Sequence, residues 1–234
     1  MSFRKRNIFD DFIELFFPRL CPVCSEKLSP AEEFICLRCM IHLPRTPFRL
    51  NVKNKMEELF YGSVAIERAY AYFNYKKGSD YQNIIYHLKY KDEKELGEYM
   101  GERFGAELLN SVPFPKTDFI CPVPLHPKKE KKRGYNQSEY IAKGLAKSFH
   151  VPVLKNNIKR VKYTISQTHK TRFERWENVQ NIFEVINPLL FNNKHIIIVD
   201  DVVTTGATLA SCATAIKLCC NAKISLLALG IAEK

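Results

Sequence analysis

No stretch of this 234-residue chain approaches the roughly 18 consecutive apolar residues that a membrane-crossing helix needs, so no transmembrane segment is expected. A GxxxxGK[ST] P-loop and a GxGxxG fingerprint are both missing, which excludes the two commonest glycine-rich phosphate cradles. The first twenty residues carry basic charge. Asp10, Asp11 and Glu14 interrupt any apolar core there, and no small-residue cleavage site follows, so a signal peptide is not expected. Internal repeats and low-complexity tracts are lacking as well, which argues against a solenoid or a disordered tail. Acidic residues are the minority: 25 Asp+Glu face 36 Lys+Arg, a net charge of +11. That surplus points to an anionic ligand, to nucleic acid or to both, beside the simpler reading of a solubilising basic surface. Otherwise the composition is ordinary for a globular protein, with 46% hydrophobic and 26% charged residues.

The richest segment runs from His195 to Leu209, HIIIVDDVVTTGATL. Four apolar residues, Ile196 to Val199, end in two adjacent carboxylates, Asp200 and Asp201. A Val-Val step then leads into Thr204-Thr205-Gly206-Ala207-Thr208. This order predicts a buried parallel strand, an acidic pair at its carboxyl end, and a phosphate-sized turn opening a helix. Ligands of open α/β sheets bind at strand carboxyl ends, and a helix start offers free N–H groups to a phosphate. An acidic pair beside an anion cradle repels its ligand unless the ligand also brings neutral hydroxyls or a cation. A ribose 5-phosphate does so, with its phosphate in the threonine turn and its 2′- and 3′-hydroxyls donating to the carboxylates.

The eight cysteines divide into two classes. Cys21-Pro-Val-Cys24 and Cys36-Leu-Arg-Cys39, eleven residues apart, form two C-x2-C knuckles suited to one tetrahedral zinc ion. Metal binding would stabilise a segment too short and polar to build its own core. Four thiolates leave no open position, so the zinc is expected to be structural. Disulfides are the alternative and fit poorly with a chain that reads as cytoplasmic. Cys121, Cys212, Cys219 and Cys220 sit among apolar or small residues and are expected to be buried, inert thiols.

Along the chain, residues 1–45 read as an N-terminal helix plus the zinc module, with Ile8, Phe12, Leu15 and Phe16 at helical spacing. That helix docks on the body or, alternatively, lies on a membrane surface. Residues 46–62 read as a linker, and residues 63–234 as one domain. In that domain a strand or hairpin is expected within 63–76, helix within 79–110, and a short strand at 118–124. A basic loop follows at 125–135, then a helix with Asn136 as N-cap and Glu139 completing a capping box. A strand at 151–154 comes next, and then a long charged excursion over 155–181. The strand at 196–200, a helix from about 206 to 220 and a last strand at 224–231 complete a doubly wound, mostly parallel α/β sheet.

These motifs bear a family resemblance. HIIIVDDVVTTGATL resembles the PRPP-binding signature of type I phosphoribosyltransferases, and Pro122 to Lys128 occupies the place of that fold's pyrophosphate loop. Residues 160–180 occupy the place of its closing loop. More narrowly, the four-cysteine module, the V-P-L-H-P stretch at Val123–Pro127 and Arg133-Gly134-Tyr135-Asn136-Gln137 resemble the ComF family. Gln167, Arg172, Asn178 and Phe183 match a further pattern of that family.

The resemblance implies a type I phosphoribosyltransferase fold with a small N-terminal zinc module. It implies PRPP binding by Lys128, Asp200, Asp201, Val202, Thr204, Thr205, Gly206, Ala207 and Thr208, with Mg2+ accompanying the ligand. Asp200, Asp201, Arg133 and Arg172 would be the catalytic set, the carboxylates on the ribose and the arginines on the pyrophosphate. The implied role is that of a cytoplasmic accessory in natural competence, handling incoming single-stranded DNA with other competence proteins. The alternative is an active phosphoribosyltransferase of nucleotide metabolism, transferring phosphoribose to a nitrogen nucleophile. In the excursion Arg175, like Arg172, is a candidate for pyrophosphate contact, and Tyr163, Phe173 and Trp176 interleave with basic residues, as in a single-strand site, although core packing explains Phe173 and Trp176 equally well. His126 reads as structural rather than catalytic.

Overall fold

The computed structural model describes residues 16–49, 54–161 and 182–233. Alternating apolar runs and amphipathic segments fold into a four-stranded, wholly parallel sheet. Its strands are β1 (Arg68–Tyr75), β2 (Phe119–Pro122), β5 (His195–Val203) and β6 (Lys223–Ala232), in the order β1-β6-β5-β2. Both central strands are apolar almost throughout and are covered on both faces, as parallel strands must be. The expected α/β class with a parallel sheet and an N-terminal four-cysteine cluster is what the chain adopts.

One face of the sheet packs on α3 (Gln82–Tyr90), α4 (Lys94–Ser111) and α6 (Gln137–Phe149). Cys21, Val23, Leu28, Ile35 and Leu43 join that same core, so the cysteine module lies against the body. Its short helix α1 (Leu37–Ile41) starts at Cys36, whose sulfur accepts from the Cys39 N–H. The other face carries α7 (Ala207–Cys219). Met56 of α2 (Lys55–Glu58) and Phe60 just beyond it are buried there, from within the segment 46–62. A two-stranded antiparallel ribbon, β3 (Ile158–Arg160) with β4 (Phe183–Val185), brings the two ends of the long excursion together.

Helices α4 and α6 are unusually close, and glycine is the reason. A β-carbon on Gly101 would stand 2.3 Å from the Ile141 carbonyl oxygen, and one on Gly144 would stand 2.0 Å from that of Glu98. Neither backbone has room for a side chain, so this seam fixes where α6 begins.

Several expectations are corrected in detail. The helical stretch 79–110 is two helices, divided where Asp92 takes a positive φ of 56°. The basic "loop" 125–135 contains α5 (Pro127–Arg133), capped by the His126 side chain, opened by Pro127 and closed by Gly134 at φ 82°. It has no buried residue, so no apolar period announced it. Asn136 does cap α6, accepting from the Ser138 N–H, but Glu139 instead pairs with Lys143 and Lys155, and no capping box forms. Residues 151–154 touch β2 at one bridge, Val153 to Ile120, since Pro152 has no N–H to extend a ladder. Among the second class of cysteines, Cys121 and Cys212 are buried, Cys220 is half-buried and Cys219 is exposed.

Candidate functional site

The acidic pair stands near the carboxyl end of β5, where Asp200 pairs in register with Ala228 of β6 and Val199 with Pro122 of β2. Beyond it the chain turns through Thr204 and Thr205 to Gly206, which adopts φ 75° as the N-cap of α7. No side chain caps this helix, so its first-turn N–H groups are left for another acceptor. A β-carbon at Gly206 would meet the Phe60 ring at 3.0 Å, so the turn rests on the segment that follows α2.

Three elements distant in sequence converge on the carboxylates. The Lys89 ammonium, at the end of α3, lies 3.0 Å from Asp201 Oδ2. The Ser138 hydroxyl, in the first turn of α6, donates to Asp200 Oδ1 at 3.0 Å, and the Asp201 N–H donates to the same oxygen at 2.9 Å. Burial, with the neighbouring Asp201 charge, pushes the Asp200 carboxyl up to about 7, against the help of the Asp201 N–H, Lys89 and Ser138. Burial opposes the Lys89 charge, yet Asp201 and Asp200 hold its pKa above the ordinary lysine value.

Further cations surround this group. Arg133 donates to Gln137 Oε1 at 2.9 Å and lies 5.7 Å from the centre of the Tyr90 ring. Burial lowers the Lys129 pKa, and the fields of Arg160, Arg133 and Lys89 lower it further. Arg160, on β3, lies over the Phe183 ring; burial lowers its pKa while the Asp200 charge raises it. The site is therefore a carboxylate pair inside a ring of positive charge, beside an uncapped helix start. Such an arrangement can hold a ligand with hydroxyls at one end and phosphates at the other.

The structure thus brings Asp200, Asp201, Val202, Thr204, Thr205, Gly206, Ala207, Thr208 and Arg133 to one strand end. Lys128 is on α5, with its N–H donating to His126 Nδ1, and the adjacent Lys129 is the lysine that feels the other cations. Arg172 lies outside the described residues, as do Gln167, Asn178, Tyr163, Phe173, Arg175, Trp176 and the N-terminal helix through Leu15. Sequence reading missed Lys89, Lys129, Ser138 and Arg160. The run of lysines in α5 was the only local signal for any of them. Two cavities are lined by other residues. One of about 60 Å³ lies among Pro122, Leu125, Asn136 and Leu154, and one of about 260 Å³ among Thr46, Arg49, Asn74 and Ile231.

The four cysteines form a second centre. Cys21 turns back through a hairpin in which Ser25 N–H donates to Cys21 O, with Ser25 at φ 61°. All four sulfurs lie within 4.8 Å of one another, and Cys24 and Cys36 are 3.7 Å apart. A tetrahedron of thiolates around one ion at about 2.3 Å places its sulfurs about 3.8 Å apart, so the set fits a bound metal. Tyr81 ties this module to α3 through a hydrogen bond to Cys39 O, and Arg45 ties it to α4 through Glu107 at 2.7 Å.

No family model matches the chain. It is 37% identical over 91 residues to Competence protein F of Haemophilus influenzae, covering 38% of this chain and 40% of that protein. It is 32% identical over 133 residues to DNA utilization protein YhgH of Salmonella typhi, covering 56% and 58%. Identity to Competence protein ComFC of Bacillus subtilis is 24% over 191 residues, covering 81% and 68%. The chain therefore spans only 40% to 58% of the length of the first two relatives. Solved structures similar to it include the glutamine PRPP amidotransferase of B. subtilis, at 14% identity and a TM-score of 0.41 over 61% of this chain and 30% of that one. Another is the adenine phosphoribosyltransferase of Saccharomyces cerevisiae, at 16% identity and 0.38 over 62% and 72%. By sequence the chain is thus similar to proteins named Competence protein F, DNA utilization protein YhgH and Competence protein ComFC.

Proposed function

We propose that this chain binds PRPP, or a closely related ribose phosphate, at the carboxyl end of β5. In that reading it serves as a cytoplasmic accessory in DNA uptake that handles single strands. The observation that carries the reading is the combination at one strand end of Asp200 and Asp201, the uncapped start of α7, and the cations Lys89, Lys129, Arg133 and Arg160. Ribose hydroxyls would donate to the carboxylates, and the 5-phosphate would accept from the N–H groups of Thr204 to Thr208. Arg133, Lys129, Lys128 and Arg172 would meet the diphosphate, with Mg2+ arriving on the ligand. Lys89 would leave Asp201 for a phosphate oxygen as the ribose takes its place. Cys21, Cys24, Cys36 and Cys39 would hold a structural zinc ion. The names of the relatives, competence and DNA utilization proteins, support the role in DNA handling.

Calorimetric titration with PRPP and Mg2+ tests the pocket, with Asp201→Asn as the control. A saturable heat in the wild type that the variant loses is expected. No heat from wild-type protein with its metal in place would overturn the reading. One observation favours a second reading, an active transferase. The cations gather where negative charge would grow as the C1–O bond of PRPP breaks and a C1–N bond forms. The nucleophile's proton would pass to solvent and pyrophosphate would leave. Pyrophosphate release that depends on an added nitrogen base would support that reading, and none with any base would end it.

A further inference from the structure

The outer side of α3 carries two exposed tyrosines. Tyr86 and Tyr90 stand one helical turn apart, 47% and 62% exposed, with ring centres 5.2 Å apart. A cation already lies over the pair: the Arg133 guanidinium is 5.7 Å from the Tyr90 ring centre. Arg133 ends α5, whose seven residues PKKEKKR hold five cations and one acid and bury nothing. Acidic groups do occur nearby, at Asp92 and Glu93, but Glu93 is engaged by His87 at 3.0 Å. Residue 89, immediately before Tyr90, reaches inward to Asp201. The ring pair therefore meets the end of the basic helix α5 at Arg133, and the residue next to Tyr90 enters the acidic pocket.

We propose that Tyr86, Tyr90, Lys131 and Lys132 form a docking surface for single-stranded nucleic acid, with unpaired bases on the two rings and the strand's phosphates along α5. The surface rests on the reading that the chain handles single strands, and it locates that activity on described residues outside the 160–180 excursion. Stacking of this kind accepts any base, because every base has a π face, and it rejects a duplex, whose faces are already covered. Lysines that meet phosphates give the binding its salt dependence. The same path would bring a strand end toward the ribose-phosphate pocket.

Fluorescence anisotropy with a labelled oligothymidylate tests the surface. Tyr86→Ala/Tyr90→Ala is expected to weaken binding by at least about tenfold, and Tyr86→Phe/Tyr90→Phe to restore it. Lys131→Gln/Lys132→Gln is expected to lower the slope of log K against log salt by about 1.4. Because these side chains are exposed, melting temperature should match wild type in every variant, and the heat of PRPP titration should match it in Lys131→Gln/Lys132→Gln and in the phenylalanine variant, which keeps the ring under Arg133. If wild type binds the strand and the alanine variant binds it equally well, the surface is wrong and the single-strand reading survives. Equal affinity of wild type for duplex and single strand also overturns the stacking surface. If wild type does not bind the strand at all, the single-strand reading falls and the surface falls with it.

Discussion

Asp200 and Asp201 are adjacent in sequence and yet differently held. Asp201 has its ion pair with Lys89, whereas Asp200 relies on two neutral donors, Ser138 and the Asp201 N–H, and burial drives its carboxyl up to about 7. A raised native pKa means that the folded protein binds an extra proton between about pH 4 and pH 7. Stability from this group is therefore fullest below about pH 4 and falls as pH rises through 7. Asp200→Asn keeps both hydrogen bonds to Oδ1 and removes the buried charge. Urea midpoints should show the variant more stable than wild type at pH 8, by roughly 1–3 kcal/mol, with the gap closing toward pH 4. Lys89 yields the opposite result. Lys89→Met leaves a buried carboxylate without its partner and should cost about 3 kcal/mol at pH 8. Adding Asp201→Asn should recover most of that loss, a coupling that a double-mutant cycle in urea would measure.

At the scale of elements, the site depends on how α6 approaches the sheet. Its first turn supplies Ser138 to Asp200, while Asn136, through its side-chain amide, donates to Val123 O at 3.0 Å. The glycine seam with α4 sets that position, since Gly101 and Gly144 each face backbone of the other helix. Gly144→Ala should force the helices apart, lowering stability by about 2–4 kcal/mol and weakening ribose-phosphate binding in the same sample. Gly105→Ala is the milder comparison. Its β-carbon would meet Ser148 Cβ at 2.7 Å, a smaller overlap than the 2.0 Å approach to backbone at Gly144, so its melting temperature should fall less than that of Gly144→Ala. The glycines stand in plain view as G-x3-G-x3-G at 97, 101 and 105, but a helix sequence does not say which partner it will meet. The same limit hid α5. Its His126 cap, Pro127 start and Gly134 end were readable, but a helix that buries nothing has no apolar stripe to reveal it.

At the scale of the molecule, the cysteine module shares one core with the sheet. Cys21, Ile35 and Leu43 pack in the same cluster as Tyr72, Phe104 and Leu229, and Glu107 joins Arg45 to Tyr72. Removing the ion should therefore be felt well beyond the knuckles. Cys39→Ser, or chelation of wild type, should abolish stoichiometric zinc by elemental analysis and lower the melting temperature of the whole chain rather than release a separate early transition. An independent early transition would show that the module unfolds apart from the body.

Wherever the signal was contiguous, the sequence was sufficient: four cysteines in two knuckles, an apolar strand, an acidic pair and a threonine-glycine turn are each local chemistry at fixed spacing. The strand-turn-helix at Asp200–Thr208 is announced locally, because a continuous apolar run and the glycine that takes the left-handed conformation at Gly206 stand side by side in the sequence. The charge environment of that motif was decided only in three dimensions. Lys89, Ser138 and Arg160 lie in ordinary helix and strand sequence, and they become site residues because the order β1-β6-β5-β2 and the α4–α6 seam carry their elements to one strand end. Electrostatic interactions act through space, so a carboxylate's partners, and with them its protonation, follow from packing rather than from neighbours along the chain.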